Sequence, residues 1–200
     1  MKAAVQEMVL ISDYIVVRSR SGLEECISQE SPLCPVCGKP LKYRDSRVRI
    51  YKSYNGRKHL LRIRRLKCGG KDGYGRLHNE LPEFIIPYKH YASEIIENVI
   101  DGVSTPGDPT TEDYPCEKTM QRWAAWFSFY CFLFEITARC LRKQKLFHLR
   151  PIGKEGSSVL SVLRLEGTGW LSFLIRYIYN CGGRLPAGNP EAFFRRENFS

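Results

Sequence analysis

The sequence has no run of apolar residues long enough to cross a bilayer. The longest, Trp123–Ala138, contains Glu135 and is flanked by Arg122 and Arg139. It stops short of the roughly 20 apolar residues that a span requires. We read it as a buried helix and expect no membrane partner. A secretion signal is lacking too: the opening MKAAVQEMVLISDY has a short apolar run, interrupted by Glu7 and Asp13, with no convincing cleavage site. There is no internal repeat, no low-complexity tract, no glycine loop for phosphate and no nucleophile elbow. Acidic charge is scarce: 21 Asp and Glu stand against 31 Lys and Arg, a net +10 with a pI of about 9.3. That surplus points to an acidic partner.

What is present is the composition of a globular chain. A hydrophobic fraction of 43% and an aromatic fraction of 12% exclude wholesale disorder. Its 200 residues suffice for one medium domain or two small ones. The basic charge is concentrated. From Lys39 to Arg76 fourteen Lys and Arg face only Asp45 and Asp72, so this segment carries +12 and the rest of the chain −2. Eight cysteines without a secretion signal suggest a reducing, cytoplasmic setting, where clustered cysteines mean metal more often than disulfides.

Residues 1–30 hold one apolar stretch, Tyr14–Val17, suited to a strand, but otherwise leave their structure unassigned. From Leu41 the pattern becomes β-like. Arg47, Arg49 and Tyr51 alternate with Val48 and Ile50, and Leu61, Ile63 and Leu66 recur among Arg62, Arg64 and Arg65. Asn55-Gly56 lies between the runs and tolerates the positive φ of a tight turn, so 42–53 and 58–67 read as a hairpin with one very basic face. After Pro87 the period changes: Tyr88, Tyr91, Ile95, Ile96, Val99 and Ile100 fall at helical spacing and Gly102 stops the helix. A turn-rich stretch at 103–115 precedes a helix from about Cys116 to Gln144. Gly153 and Gly156 mark a linker, and Val159–Leu165 and Trp170–Tyr179 read as short helices, the latter closed by Gly182-Gly183.

The sharpest local signal is Cys34-Pro35-Val36-Cys37-Gly38. Two cysteines two residues apart before a glycine form a knuckle that aims both sulfurs at one ion, and the amides that follow can hydrogen-bond the thiolates. A closed zinc site needs four ligands. The remaining two should lie just past the hairpin, which returns the chain to the knuckle. Cys68 stands there, with His78 ten residues on, across a loop Gly69-Gly70-Lys71-Asp72-Gly73 that three glycines make easy to bend. Cys34, Cys37, Cys68 and His78 therefore form the expected zinc site, with a redox pair or two buried cysteines as the alternatives. Cys26, Cys116, Cys131, Cys140 and Cys181 read as core or surface residues, with burial expected for Cys131 and Cys140. His59, His90 and His148 lack a partner at ligand spacing.

The helix at 88–101 and the helix opening Cys116–Trp123 suit a helix-turn-helix. The second would present Lys118, Thr119, Gln121 and Arg122 to base edges and phosphates, while Trp123, Trp126 and Phe127 face the core. No middle helix is legible between 103 and 115, so a plain helical hairpin with these residues on its solvated face stays open. Arg47, Arg49, Arg62, Arg64 and Arg65 are the candidates for sequence-blind phosphate contacts.

Several stretches together resemble an uncharacterised bacterial family, a domain of unknown function common in Firmicutes. They are Cys34-Pro35-Val36-Cys37 with its spacing to Arg64-Arg65, Leu66-Lys67-Cys68, Gly75–Phe84, Pro87–Tyr91 and Thr119–Trp123. The resemblance covers most of residues 30–180. Its members look like the N-terminal zinc-ribbon and helix-turn-helix part of insertion-sequence transposases. It implies a second cysteine just before the Gly-Arg-x-His stretch, where this chain has Tyr74, which shifts weight onto His78. It brings no established activity.

A transposase also needs an RNase H-like domain in which three carboxylates hold two metal ions. After Asp113 there is no aspartate at all, and the glutamates are scattered over helices and loops. The C-terminal stretch is also short for such a domain. The expectation is thus an α+β protein, a small zinc-ribbon β-hairpin followed by a mainly helical, helix-turn-helix-like region. Its segments are 1–30 unassigned, 31–86 ribbon, 87–150 helix-turn-helix-like helices, and 151–200 C-terminal helices and tail. It would bind nucleic acid, double-stranded DNA first and RNA as the variant, as a transposase-related accessory, remnant or regulator and not as an enzyme. The C-terminal helices would complete the core or make a homodimer. The alternative is a protein-interaction module, in which the ribbon and aromatic helices dock a partner.

Overall fold

The computed structural model describes residues 7–54, 56–69, 76–107, 115–144, 158–165 and 167–185. The chain is α+β, with six strands and four helices among these residues. It falls into two compact units, one built from the chain up to Ala92 together with Ile175–Leu185, the other from Ser93–Leu174. Of the expected features, Asn55, the glycine loop at 70–73, Tyr74, the linker glycines 153 and 156 and His148 lie outside the described residues.

The first unit is a six-stranded mixed sheet. Its strands are β1 (Glu7–Ile11), β2 (Tyr14–Arg18), β3 (Leu23–Ser28), β4 (Leu41–Lys52), β5 (Lys58–Cys68) and β6 (Leu77–Pro82). The expected hairpin is β4–β5, antiparallel from Leu41↔Cys68 to Lys52↔Lys58. Gly56 closes its turn at φ 67°, a conformation that costs a glycine little. The other edge of β5 is shared: β3 runs parallel to its start and β6 antiparallel to its end. β2 extends the sheet from β3, and β1 lies parallel to β6. The N-terminal segment, where only Tyr14–Val17 read as a strand, therefore supplies three: β2 at that place, with β1 and β3 on either side of it in sequence. β1 is buried along its whole length, which accounts for its apolar run.

Alternation along β4 and β5 divides the expected basic face in two. Arg47 sits opposite Ile63 and Arg65 opposite Asp45, so Arg47, Arg49 and Arg65 share a face with the buried Leu61 and Ile63. Arg62 and Arg64 point to the other side. That second side carries an exposed apolar patch, with Val48, Ile50 and Leu60 uncovered beside Arg62.

The helix expected from Tyr88 begins only at Ser93. Residues 85–92 are instead tied to the sheet: the Lys52 amide donates to the His90 carbonyl (2.7 Å), and the Ala92 amide donates to the Lys52 carbonyl (3.1 Å). Arg49 Nη2 donates to the carbonyls of Ile86 (3.3 Å) and Lys89 (2.6 Å), the second of which a helix from Tyr88 would have used for itself. The helical period at Tyr88 and Tyr91 is thus overridden by tertiary hydrogen bonds.

The second unit holds α1 (Ser93–Ile100), α2 (Glu117–Lys143), α3 (Val159–Leu165) and the start of α4 (Trp170–Asn180). α2 runs unbroken, as its sequence predicts. Met120, Trp123, Trp126, Phe127, Phe134, Ala138 and Leu141 line its buried side, and Phe127 meets Phe134 and Trp170 at 5.5 and 5.6 Å. By length and composition α2 is also apolar enough to cross a bilayer. Cys131 and Cys140 are exposed, contrary to expectation, because both stand just outside the arc defined by Trp126, Trp123 and Phe134. Two carboxylates join these helices. Glu135 accepts the Val159 and Leu160 amides at the start of α3, and Glu97 accepts those of Gly169 and Leu171 at the start of α4.

Candidate metal centre

The knuckle has the geometry that its spacing implies. Leu33 and Pro40 bridge its base, the Cys34 amide donates to Lys39 O, and the Gly38 amide donates back to Cys34 O, both at 2.8 Å. Gly38 makes the reversal at φ 68°. The Lys39 amide donates to the Cys37 sulfur, which with the neighbouring Cys68 thiol holds the Cys37 thiol below its ordinary range. That is the amide-to-thiolate bond a metal knuckle uses.

The partners arrive on strands. Cys68 ends β5 opposite Leu41, three residues after the knuckle closes, so the hairpin brings it back to the first two sulfurs. His78 pairs with Leu66, and Leu66 and Cys68 are two apart, so all three project from one side of the sheet. The Cys68 amide donates to Arg76 O at 3.2 Å and ties the two strand ends together. The result is a cluster in which the sulfurs of Cys34, Cys37 and Cys68 lie within 4.8 Å of one another and can hold a metal ion. Cys37 and Cys68 are 3.3 Å apart, and the His78 Nε2 stands 3.6 Å from the Cys34 sulfur. Tetrahedral zinc, with Zn–S about 2.3 Å and Zn–N about 2.0 Å, separates two sulfurs by about 3.8 Å and sulfur from nitrogen by about 3.5 Å. The three sulfurs suit such an ion. His78 lies outside this compact set and approaches it on the Cys34 side.

Burial completes the setting. Cys34 and Cys68 are nearly sealed from solvent and His78 is wholly so; burial pushes its imidazole below the usual histidine range. Its Nδ1 is shielded and makes no hydrogen bond, but faces Glu7 Oε2 at 3.7 Å. Glu7 in turn accepts from Arg76 and Arg184. Nothing about spacing marks Glu7. The one signal was an acid inside an apolar run, which is the pattern of a carboxylate buried with partners.

The expected nucleic-acid contacts do not form one surface. Arg64 is bidentate to the buried Glu80, and Arg65 is bidentate to Asp45. Arg49 is spent on two carbonyls, and burial lowers its guanidinium to about 10. Arg47 and Arg62 have no ion-pair partner among the described residues. On α2, Lys118, Gln121 and Arg122 are exposed along one side; Gln121 donates to Glu117, and the Thr119 hydroxyl lies 3.2 Å from the Cys116 sulfur. The link from α1 to α2 spans residues 101–116, longer than the three- or four-residue turn of a helix-turn-helix. His59 is fully engaged with Glu24 and Ser53, each at 3.0 Å.

No curated protein and no solved structure matches this chain. Residues 34–123 match the family model of a domain of unknown function, DUF6431, and so take in the knuckle, the basic hairpin, β6 and the first turns of α2.

Proposed function

We propose that the chain is a DNA-binding protein built around one structural zinc, related to the ribbon of transposases and without a catalytic domain of its own. The observation that carries this reading is the cluster of Cys34, Cys37 and Cys68, with His78 3.6 Å from Cys34, at the root of a hairpin rich in Arg and Lys. Zinc locks the root. The exposed cations Lys42, Arg57, Lys58, Arg62 and Lys67, with the half-buried Arg47 on the face opposite Arg62, then offer phosphate contacts on both sides of the hairpin, and Lys118, Gln121 and Arg122 are the groups available for bases.

Salt-dependent binding tests it. Each neutralised phosphate contributes a log–log salt slope of about −0.9, so exchanging Arg62 for Ala should flatten the slope by about 1, and Arg47, on the opposite face, should add to that only where the duplex engages both faces. Absence of salt-dependent binding to any duplex or RNA at low ionic strength would refute the reading. A specific observation then favours the second one: Ile15, Val17, Ile27, Val48, Ile50 and Leu60 are all exposed on the sheet, and Phe129, Phe132 and Ile136 on α2. Those apolar faces suit protein docking.

A further inference from the structure

The geometry around His78 points to a fifth residue of the metal centre, and we infer that Glu7 is its positioning carboxylate. Glu7 would hold the imidazole proton on Nδ1 and leave the Nε2 lone pair for the ion. The inference rests on the zinc reading above and names a residue that no ligand spacing marks.

Three observations carry it. First, a neutral imidazole has one N–H and one lone pair, so the two ring nitrogens of His78 must take different roles. Nε2 is the nitrogen at the sulfur cluster, 3.6 Å from Cys34, and Nδ1 is the one turned away. Second, Nδ1 is shielded from solvent in a residue that is 0% exposed and has no hydrogen-bond partner, a position in which a donor needs an acceptor supplied by the protein. Third, that acceptor stands beside it. Glu7 and His78 are paired residues on the parallel strands β1 and β6, so their side chains leave the sheet on one side. Glu7 Oε2 is 3.7 Å from Nδ1, about half an ångström beyond hydrogen-bond range.

The rest of the Glu7 environment selects this oxygen. Arg76 Nη1 and Arg184 Nη2 both donate to Oε1, at 2.5 and 2.6 Å, and leave Oε2 toward the imidazole. Arg76 precedes β6, and Arg184 follows α4. The C-terminal end of α4 also reaches the knuckle itself: a Cβ on Gly182, at φ 82°, would come within 3.3 Å of Pro35 O. Strand, helix end and knuckle thus fix Glu7 from several directions. A carboxylate behind a ligating histidine fixes its tautomer and raises its basicity, and loss of such a partner weakens metal binding by about 10- to 100-fold.

The test compares zinc affinity of the full chain, by competition with a chromophoric chelator, in four proteins: wild type, Glu7→Ala, His78→Cys and the double variant. Glu7→Ala should lose about 10- to 100-fold in wild type and almost nothing in the His78→Cys background, where no imidazole needs positioning. An equal loss in both backgrounds would make Glu7 a general support of the fold and overturn the assignment, as would no loss in either. Should Glu7→Ala fail to fold, nitrogen NMR of the zinc-loaded wild type decides alone. It should show the proton of His78 on Nδ1 and the metal on Nε2, and the reverse tautomer overturns the inference. A wild-type chain that takes up no zinc would remove the metal reading itself. Zinc held normally, with His78 indifferent to Glu7, removes only this inference.

Discussion

The β4–β5 hairpin has a root and a blade, and they answer differently to what their sequence suggests. At the root, three of the four residues expected to meet do so: the sulfurs of Cys34, Cys37 and Cys68 form one cluster, and His78 stands beside it, 3.6 Å from Cys34. Along the blade, five arginines expected to act together part into separate roles. Arg64 and Arg65 neutralise Glu80 and Asp45, Arg49 holds a loop, and Arg47 and Arg62 remain on opposite faces. Ligand chemistry demands convergence, so spacing encodes it. Positive charge demands only some negative neighbour, and the chain itself supplied two.

The largest effect should separate root from blade outright. In a Cys34→Ser, Cys37→Ser double variant, or on chelation, the region of residues 32–80 should lose its fold, because the free energy of metal binding is there folding free energy. His78→Ala should weaken zinc binding but leave the three sulfurs a residual hold. Proteolysis and metal analysis of the two variants check this; an unaltered zinc content in the double variant would erase the contrast.

Within the blade, neighbouring arginines should differ sharply. Arg64→Ala strands the Glu80 carboxylate, which is 1% exposed, and should cost about 3 kcal/mol, the lower end for a broken buried pair since Arg64 is itself partly exposed. Arg62→Ala should change stability by less than about 0.5 kcal/mol, as surface substitutions do. Denaturant unfolding measures both. Equal costs would return the blade to a uniform basic face.

How much of this was legible follows from range. The knuckle, the hairpin and α2 were readable because each is specified within its own segment, by Cys-x-x-Cys-Gly, by alternation, and by the apolar arc around Trp123 and Trp126. In residues 7–28 only β2 was, through Tyr14–Val17; β1 and β3 were not, because each pairs with a strand far along the chain, β1 with β6 some seventy residues away. The start of α1 was misplaced for the same reason: Arg49 and Lys52 claim the backbone of residues 86–92. Glu7 illustrates it again at the candidate site. Its charge was noted as a break in an apolar run, but its meaning depends on His78, Arg76 and Arg184.

A smaller effect sharpens the comparison from the other unit, where a carboxylate acts as a helix cap. Burial alone would push the Glu135 carboxyl up, but bonds from Ser158, the Leu160 amide, Arg139 and the Val159 amide outweigh it and hold it at about 2. A carboxyl lower in the folded than in the unfolded chain stabilises above the unfolded value of 4.5, and that contribution is lost as pH falls from there toward about 2. Glu135→Gln should therefore be less stable near neutral pH and flatter between pH 5 and 2. A variant with the parent's acid profile would show that the cap carries no such linkage.

X-ray absorption at the zinc edge of the purified chain reads the ligands at the root. One zinc per chain is expected, with three sulfurs at about 2.3 Å and one nitrogen at about 2.0 Å. A shell of nitrogen and oxygen alone, or four sulfurs with no nitrogen, would contradict it.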